Sequence, residues 1–356
     1  MARKRRGSGN PTIMDVARAA GVSAITVSRA IRTPGRVSTE ARARVAAAIR
    51  DLGYTPDPAA KALASSRSDI VGVLVPSVTN SVFLDTMRGL YEVCETTDYR
   101  VQIANTRYSA AEEERLLRMF LTQRPAGLIV TGIDQSAATA GLLRSAPCPV
   151  VQITEIGPAP FDMMVGFSHS DAARVAAEHL VDSGYRRIAF LGARRDARST
   201  RRLSGFRAGL EGKGLYNPAR VLFADRPSSV PLGAEQLVEL LTRDPDADAV
   251  LCNNDDLALG VLFECQRRGL AIPDRFGICG FNDISAMATA CPAVTSVQTP
   301  RREVGRQAMT MLLARLADED PGRPVRDLGF RLVRRDSTRR GQGAVAPGPG
   351  RVRPIA

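Results

Sequence analysis

Residues 12–32 read TIMDVARAAGVSAITVSRAIR, and everything N-terminal to residue 57 is organised around them. Ile13, Val16, Ala17 and Ala20 fall at i, i+3, i+4 and i+7, one apolar stripe of a short helix that Thr12 is placed to cap. Gly21 ends it. Ser23 is placed to cap a second helix, in which Val27, Ala30 and Ile31 form the inward face while Ala24, Ile25, Ser28 and Arg29 share the outward one. A third helix follows from the cap Ser38, with Val45, Ala48, Ile49 and Leu52 repeating the apolar spacing. The pattern predicts a helix-turn-helix unit, whose second helix enters the major groove of DNA. Spacing alone also fits a plain helical hairpin; the residue types at the individual positions decide.

The run T-x-x-D-V-A-x-x-A-G-V-S-x-x-T-V-S-R, intact from Thr12 to Arg29, resembles the start of LacI/GalR-type bacterial transcription regulators. Further on, Val73–Asn80, Val165–Phe167, Leu191–Ala193, CNNDDLALGVLFECQRRGL at 252–270 and Asp327–Phe330 are similar to the gluconate-repressor branch of that family. The resemblance runs from about residue 12 to 335.

Charge is consistent with a modular DNA-binding protein. The 356 residues exceed what one core usually holds, so at least two domains are expected. Of the net +12, residues 1–69 carry 13 Lys/Arg against 5 Asp/Glu, residues 70–330 carry 29 against 31, and residues 331–356 carry 7 against 1. A small basic unit beside a near-neutral large one supplies sequence-independent affinity through phosphate neutralisation. Arg3 to Arg6 are basic, but no apolar run follows as in a secretory leader, and no stretch approaches the roughly 20 apolar residues that span a bilayer. A cytoplasmic, nucleoid-associated protein is expected. Six cysteines without a C-x-x-C pair and two histidines, His169 and His179, outside any ligand pattern leave no material for a metal site, and no cofactor is expected. The GFSHS around Ser168 lacks the second glycine of a nucleophile elbow.

Gly53-Tyr54-Thr55-Pro56-Asp57-Pro58 cannot continue a helix, and Ala59–Ala64 are good helix formers in a segment too short to be helical alone. The resemblance implies that residues 57–68 form a hinge helix ordered over the minor groove, with Ala60 at the DNA and Leu63 wedged between base pairs. The alternative is a plain linker. Asp57 stands where the family usually has asparagine, and an anion near phosphates should weaken that contact.

From residue 69 to 335, short apolar runs such as Ile70–Val75, Gly127–Thr131, Val150–Ile153 and Ala249–Cys252 alternate with amphipathic helical patterns. This predicts an α/β sensor of two doubly wound, parallel-sheet subdomains, an architecture that resembles the periplasmic sugar-binding fold. Ligands bind outside the carboxyl ends of such strands, so the loops at 77–83, 131–134, 154–156, 193–202, 253–256 and 281–283 are expected to converge on one cleft. Ser77, Asn80, Asn254, Asp255 and Asn282 offer hydroxyl partners, Phe83 and Phe167 apolar faces, and Arg202 a bidentate partner for a carboxylate. By family motif position, Phe83, Phe167, Arg202, Asn254 and Asn282 match effector contacts. Asp256 is expected to serve its helix N-terminus, and most of Arg194, Arg195, Arg198 and Arg201 to be solvated or ion-paired.

The Arg/Gly/Pro-rich residues 336–356, like the basic arm 1–11, are expected to be disordered. No leucine heptads point to a tetramer, so a homodimer is expected, reading a palindromic operator. The reading is a DNA-binding repressor of sugar or sugar-acid metabolism, released by a gluconate-like effector. Thr12, Ser23, Ala24, Ile25, Thr26, Ser28, Arg29 and Ser38 are its DNA-facing residues. A co-repressor or neutral sugar is an alternative ligand; a cleft-based binding protein or enzyme is the alternative class, though no nucleophile, metal or acid/base pair is assembled in the sequence.

Overall fold

The computed structural model describes residues 11–55, 67–80 and 82–340. Asp57, Ala60 and Leu63 lie outside the described residues, as do residues 1–10 and 341–356. The described chain falls into two compact units divided after Ser68.

The first unit is a three-helix head: α1 Ile13–Ala20, α2 Ala24–Arg32 and α3 Thr39–Leu52. Each begins as its sequence requires. Thr12 and Asp15 form a reciprocal capping box, Ser23 accepts from the Thr26 N–H, and Ser38 accepts from the Ala41 N–H. Gly21 closes α1 at φ 62°, a left-handed conformation that costs a residue with a Cβ. Val16, Ala17, Ala20, Val27, Ala30, Val45 and Ala48 make the core. Ile31, expected inward, is 37 % exposed. It sits about 40° further round α2 than Val27, and two neighbouring short helices cover only a narrow stripe.

The second unit holds two six-stranded sheets. The first is ordered β11-β5-β4-β3-β1-β2, built from β1 Ile70–Val75, β2 Arg100–Asn105, β3 Gly127–Thr131, β4 Val150–Ile153, β5 Met163–Gly166 and β11 Val325–Asp327, all parallel. The second is ordered β12-β10-β9-β8-β6-β7, from β6 Ile188–Ala193, β7 Val221–Ala224, β8 Ala249–Cys252, β9 Gly277–Asn282, β10 Thr295–Gln298 and β12 Arg331–Val333, with only β12 antiparallel. Central strands are buried along their length, as with β8 and β9, which explains their unbroken apolar runs.

Helices cover the sheets. They are α4 Val82–Cys94, α5 Ala110–Thr122 and α6 Ala137–Arg144 in the first subdomain, then α7 His169–Asp182, α8 Ala197–Glu211, α9 Val230–Arg243, α10 Asp255–Arg267 and the short α11 Ser285–Thr289 in the second. The chain then returns: α12 Arg301–Leu316 packs against α4, β4 and β5 of the first subdomain. That packing is backbone to backbone. A Cβ on Gly89 would lie 1.9 Å from the Arg302 carbonyl oxygen, and one on Gly305 would lie 2.0 Å from that of Thr86. The chain therefore passes between subdomains three times: after β5, between β10 and α12, and between β11 and β12.

The ordered sensor continues beyond the expected boundary at 335. Asp336–Thr338 form a 3-10 turn in which Ser337 and Thr338 are buried. The disorder expected from 336 is thus corrected for 336–340. Ser337 Oγ donates to the Ile278 carbonyl (2.6 Å) and accepts from the Thr295 N–H (2.9 Å), while Thr338 Oγ1 meets His179 Nε2 (2.8 Å) and Thr295 Oγ1 (2.7 Å). Polar side chains matched to buried partners hold this segment, so apolar periodicity carries no signal for it.

Candidate functional site

In the head, the outward face of α2 is available as the sequence predicts. Ile25 is 65 % exposed, Arg29 is exposed, and Ala24, Thr26 and Ser28 are half-buried. Val27 and Ala30 anchor the other face, so the exposed side chains stand on a braced helix. Thr12, Ser23 and Ser38 each sit at a helix N-terminus with the hydroxyl engaged in capping. Such termini present N–H groups and a positive dipole end, the chemistry that receives phosphate. Thr12 also donates to Asp15 (2.7 Å), and this hydrogen bond holds the Asp15 carboxyl below its usual range. At the far end of α1, Arg44 Nε donates to the Ala20 carbonyl (3.2 Å), tying α3 to it.

In the sensor, a cleft of about 450 Å³ opens at the carboxyl ends of strands from both sheets. Ser77, Asn80 and Phe83 line it from the β1 side, Tyr108 from beyond β2, Arg194, Asp196, Arg198 and Arg202 from the β6–α8 connection, Asn254 and Asp256 from the end of β8, and Asn282 from the end of β9. Ser77 Oγ accepts from the Asn80 N–H (3.1 Å), and Asn80 Oδ1 accepts from the Val82 N–H (3.0 Å), which shapes the loop into α4. Asn254 is the N-cap of α10, accepting from the Leu257 N–H, and Asp196 is the N-cap of α8. Two helix N-termini therefore face one cavity.

Arg202 is the centre of this wall. It is 8 % exposed, its Nη1 donates to the Asn253 carbonyl, and its guanidinium lies 3.9 Å above the Phe281 ring. Its Nε has no hydrogen-bond partner, and among the described residues no carboxylate pairs with it. Burial, and then the neighbouring Arg198, push the guanidinium pKa down. Two further cations stack on aromatic rings: Arg194 on Tyr108 (4.1 Å), and Arg198 on Phe83 (5.3 Å) and Tyr108 (5.8 Å).

Behind Arg202 lies a smaller recess shared by Phe83, Thr154, Phe167, His169, Asn282 and Arg301. Phe167 is here rather than in the main cleft, stacked on His169 with ring centroids 4.4 Å apart. His169 Nδ1 is 3.1 Å from Glu155 Oε2. Burial, then Arg202 and Arg198, hold the imidazole well below its usual pKa. Burial raises Glu155 in turn. Across the cleft mouth, Arg201 makes a bidentate pair with Asp134 (2.5 and 2.6 Å). The 131–134 loop borders a side recess with Glu113, whose carboxyl burial pushes up to about 7.

The structure thus brings Ser77, Phe83, Arg202, Asn254 and Asn282 together around one cavity, with Phe167 one layer behind. Asp255 is not among them. As the first residue of α10 it turns inward, accepting from Ser296 Oγ (2.7 Å) and the Ile284 N–H (2.8 Å). Asp256, expected only to serve the helix terminus, reaches the cleft. Tyr108 escaped the sequence reading, and Arg194 and Arg198, from the arginine group expected mostly to be solvated or ion-paired, line the cleft. Tyr108 and Arg194 have φ of 59° and 55°, left-handed conformations that residue type does not announce.

Residues 12–57 match the model for "Bacterial regulatory proteins, lacI family", and residues 177–338 the model for "Periplasmic binding protein-like domain". The chain is 41 % identical over 333 residues to the HTH-type transcriptional regulator GntR of Pseudomonas aeruginosa, an alignment covering 94 % of this chain and 97 % of that one. It superposes on a LacI-family transcriptional regulator from Silicibacter pomeroyi with TM-score 0.86 at 35 % identity, covering 93 % and 100 % of the two chains. It also superposes on the lac repressor dimer bound to operator and an anti-inducer, with TM-score 0.80 at 25 % identity, covering 92 % and 99 %. With the head, the two-sheet sensor and relatives matched over nearly their whole length, this chain belongs to the LacI family of DNA-binding bacterial transcriptional regulators.

Proposed function

We propose that this protein is a repressor that a sugar acid releases from its operator, the acid's carboxylate being received by Arg202. One observation carries the reading: a buried guanidinium with an unused Nε–H sits in a hydroxyl-partnering cleft and has no carboxylate of its own among the described residues. The charges lining the cleft are Arg194, Arg198 and Arg202 against Asp196 and Asp256, a single net positive charge that suits a monoanion. Ser77, Asn80, Asn254 and Asn282 supply partners for hydroxyls, and Phe83 an apolar face for the carbon chain. The kinship with GntR-named regulators supports a sugar-acid class.

The protein works as a homodimer in the cytoplasm, because two α2 helices one DNA turn apart are needed to read a palindrome. The operator-bound relative is itself a dimer. Leu84 and Tyr91 on α4 and Phe263 on α10 are 52 %, 40 % and 46 % exposed, and offer apolar surface for a second copy. In each head Arg29 reads a guanine and Ile25 a thymine methyl. Ser28, Thr26 and the capped helix starts meet phosphates, and Ala60 and Leu63 serve the minor groove.

The test is operator binding titrated with gluconate, its keto-acid relatives and neutral sugars. Release by the acids is the expected result. Release by a neutral sugar alone defeats the carboxylate argument, and tighter operator binding makes the ligand a co-repressor. Linkage demands that operator DNA lower effector affinity by the same factor that effector lowers operator affinity.

A further inference from the structure

The loop that carries Asn282 into the cleft is held in an unusual shape. Asn282 has φ 112° and Asp283 φ 56°, two consecutive left-handed residues without a glycine. Such a conformation persists only if its surroundings over-determine it. Arg301 Nη1 donates to the Asn282 carbonyl, Asp283 N–H donates to Ser296 Oγ (3.1 Å), and Ile284 N–H to Asp255 Oδ2 (2.8 Å). Two further restraints act on the Asp283 carboxylate, one of them from the C-terminal segment. Arg335 Nη1 donates to Asp283 Oδ1 (2.7 Å), with the two side chains 16 % and 5 % exposed. Gln298 Nε2 donates to the other oxygen (3.1 Å).

Arg335 is itself fixed. Its N–H donates to Thr295 Oγ1 (2.8 Å) and its Nη1 also to the Val294 carbonyl (2.8 Å), directly before the buried Ser337–Thr338 turn. Two carboxylates crowd this loop. Burial lifts the Asp255 carboxyl to about 6, and repulsion from Asp283 adds to it. The Arg335 cation is the charge paired with Asp283, so its loss leaves a 5 %-exposed carboxylate facing a second one.

We infer that Arg335 is a positioning residue of the effector cleft: through its pair with Asp283, the C-terminal clasp 335–338 holds Asn282 where a ligand meets it. Nothing in this requires Arg335 to touch the ligand. It rests on the reading of the cleft as the effector site, so one of the two measurements below needs no ligand.

The first is amide hydrogen exchange on the full-length, unliganded protein. Arg335→Gln is expected to accelerate exchange at Asp283 and Ile284 while the β8 and β9 amides keep their protection. The second is calorimetric titration with potassium gluconate, where Arg335→Gln is expected to weaken binding roughly 10-fold or more. Arg335→Lys should recover part of both. In an Asp283→Asn background, Arg335→Gln should add little to either, because the charge that needs it is gone. Unchanged exchange at 283–284 overturns the inference, as does loss of protection across the whole second sheet, which would make Arg335 a general brace. Full additivity with Asp283→Asn also overturns it. If the wild type binds no gluconate, the sugar-acid reading fails and the exchange data alone decide the role of Arg335. If Arg335→Gln does not fold, both measurements are made on Arg335→Lys.

Discussion

Arg29 on α2 and Arg202 on α8 are the same side chain in opposite settings. The head presents Arg29 to water on a helix whose other face supplies the stability, so the recognition surface can change without disturbing the core. The sensor buries Arg202 among Arg198, Phe281 and an asparagine carbonyl, with one donor unused. A cation so placed costs folding free energy until an anion arrives. Recognition by the head is additive to stability; recognition by the cleft is taken out of it.

The widest separation is expected from Arg202→Met. Losing a buried charge partner costs about 2–5 kcal/mol of binding, so calorimetry should record at least a 30-fold weaker affinity for a sugar acid. Replacing a buried charge by an apolar group of similar size is often neutral or stabilising, so the melting temperature should hold or rise. A fall of several degrees would show that Arg202 is a structural brace and would collapse the contrast.

Arg29→Ala should do the converse, costing roughly 1–3 kcal/mol of specific operator affinity with no change in melting temperature. Binding-site selection should show relaxed preference at one position per half-site; an unchanged preference everywhere would remove Arg29 from base reading.

Acid should separate the units as well, because both histidines are in the sensor. Burial pulls His179, the partner of Thr338, down to about 4. The unfolded chain then takes up a proton near pH 6.5 that the folded one refuses, so this site's contribution is intact above pH 6.5 and lost as pH falls toward 4. Between pH 7 and 5 the sensor of the wild type should lose roughly 1–2 kcal/mol more than that of His179→Gln, read by denaturant titration. Parallel losses would refute the assignment. The smallest expected effect is Ser23→Ala, about 1 kcal/mol on the head through the lost α2 cap and none on the sensor, followed by circular dichroism of the separate transitions.

The same contrast governs what could be read in the sequence. The decisive features of the head lie within Thr12–Arg29, where helical spacing converts position directly into face; Ile31 and Leu52, expected inward near the ends of their helices, are exposed, and Ala24, expected outward, packs against the core. The sheets were legible where strands are buried on both sides, as in Ile70–Val75 and Ala249–Cys252. The edge strands β11 and β12, three residues long, carry no such run. The cleft draws on residues 77 to 282, and its inward directions depend on where each helix starts. Taking Asn254 as the cap turns Asp255 away and Asp256 toward the cavity, a difference of one position. The clasp at 335–338 was hidden because it is polar and flanked by Arg/Gly/Pro-rich sequence.

The three passages of the chain between subdomains also set an order on synthesis. All of the head's described residues have been made by residue 55, and their core is then complete. The first sheet reaches β5 at Gly166, yet its edge strand β11 and the helix that packs on β4 and β5 arrive only with residues 301–327. At ordinary elongation rates of about 5–20 residues per second, that incomplete sheet waits roughly 8–30 s on the ribosome with one edge open and one face covered only by α4. During the wait a nascent chain has a finished three-helix head and an unfinished sensor, so a chain cut short in the second subdomain would carry the head on a first sheet that lacks β11 and α12.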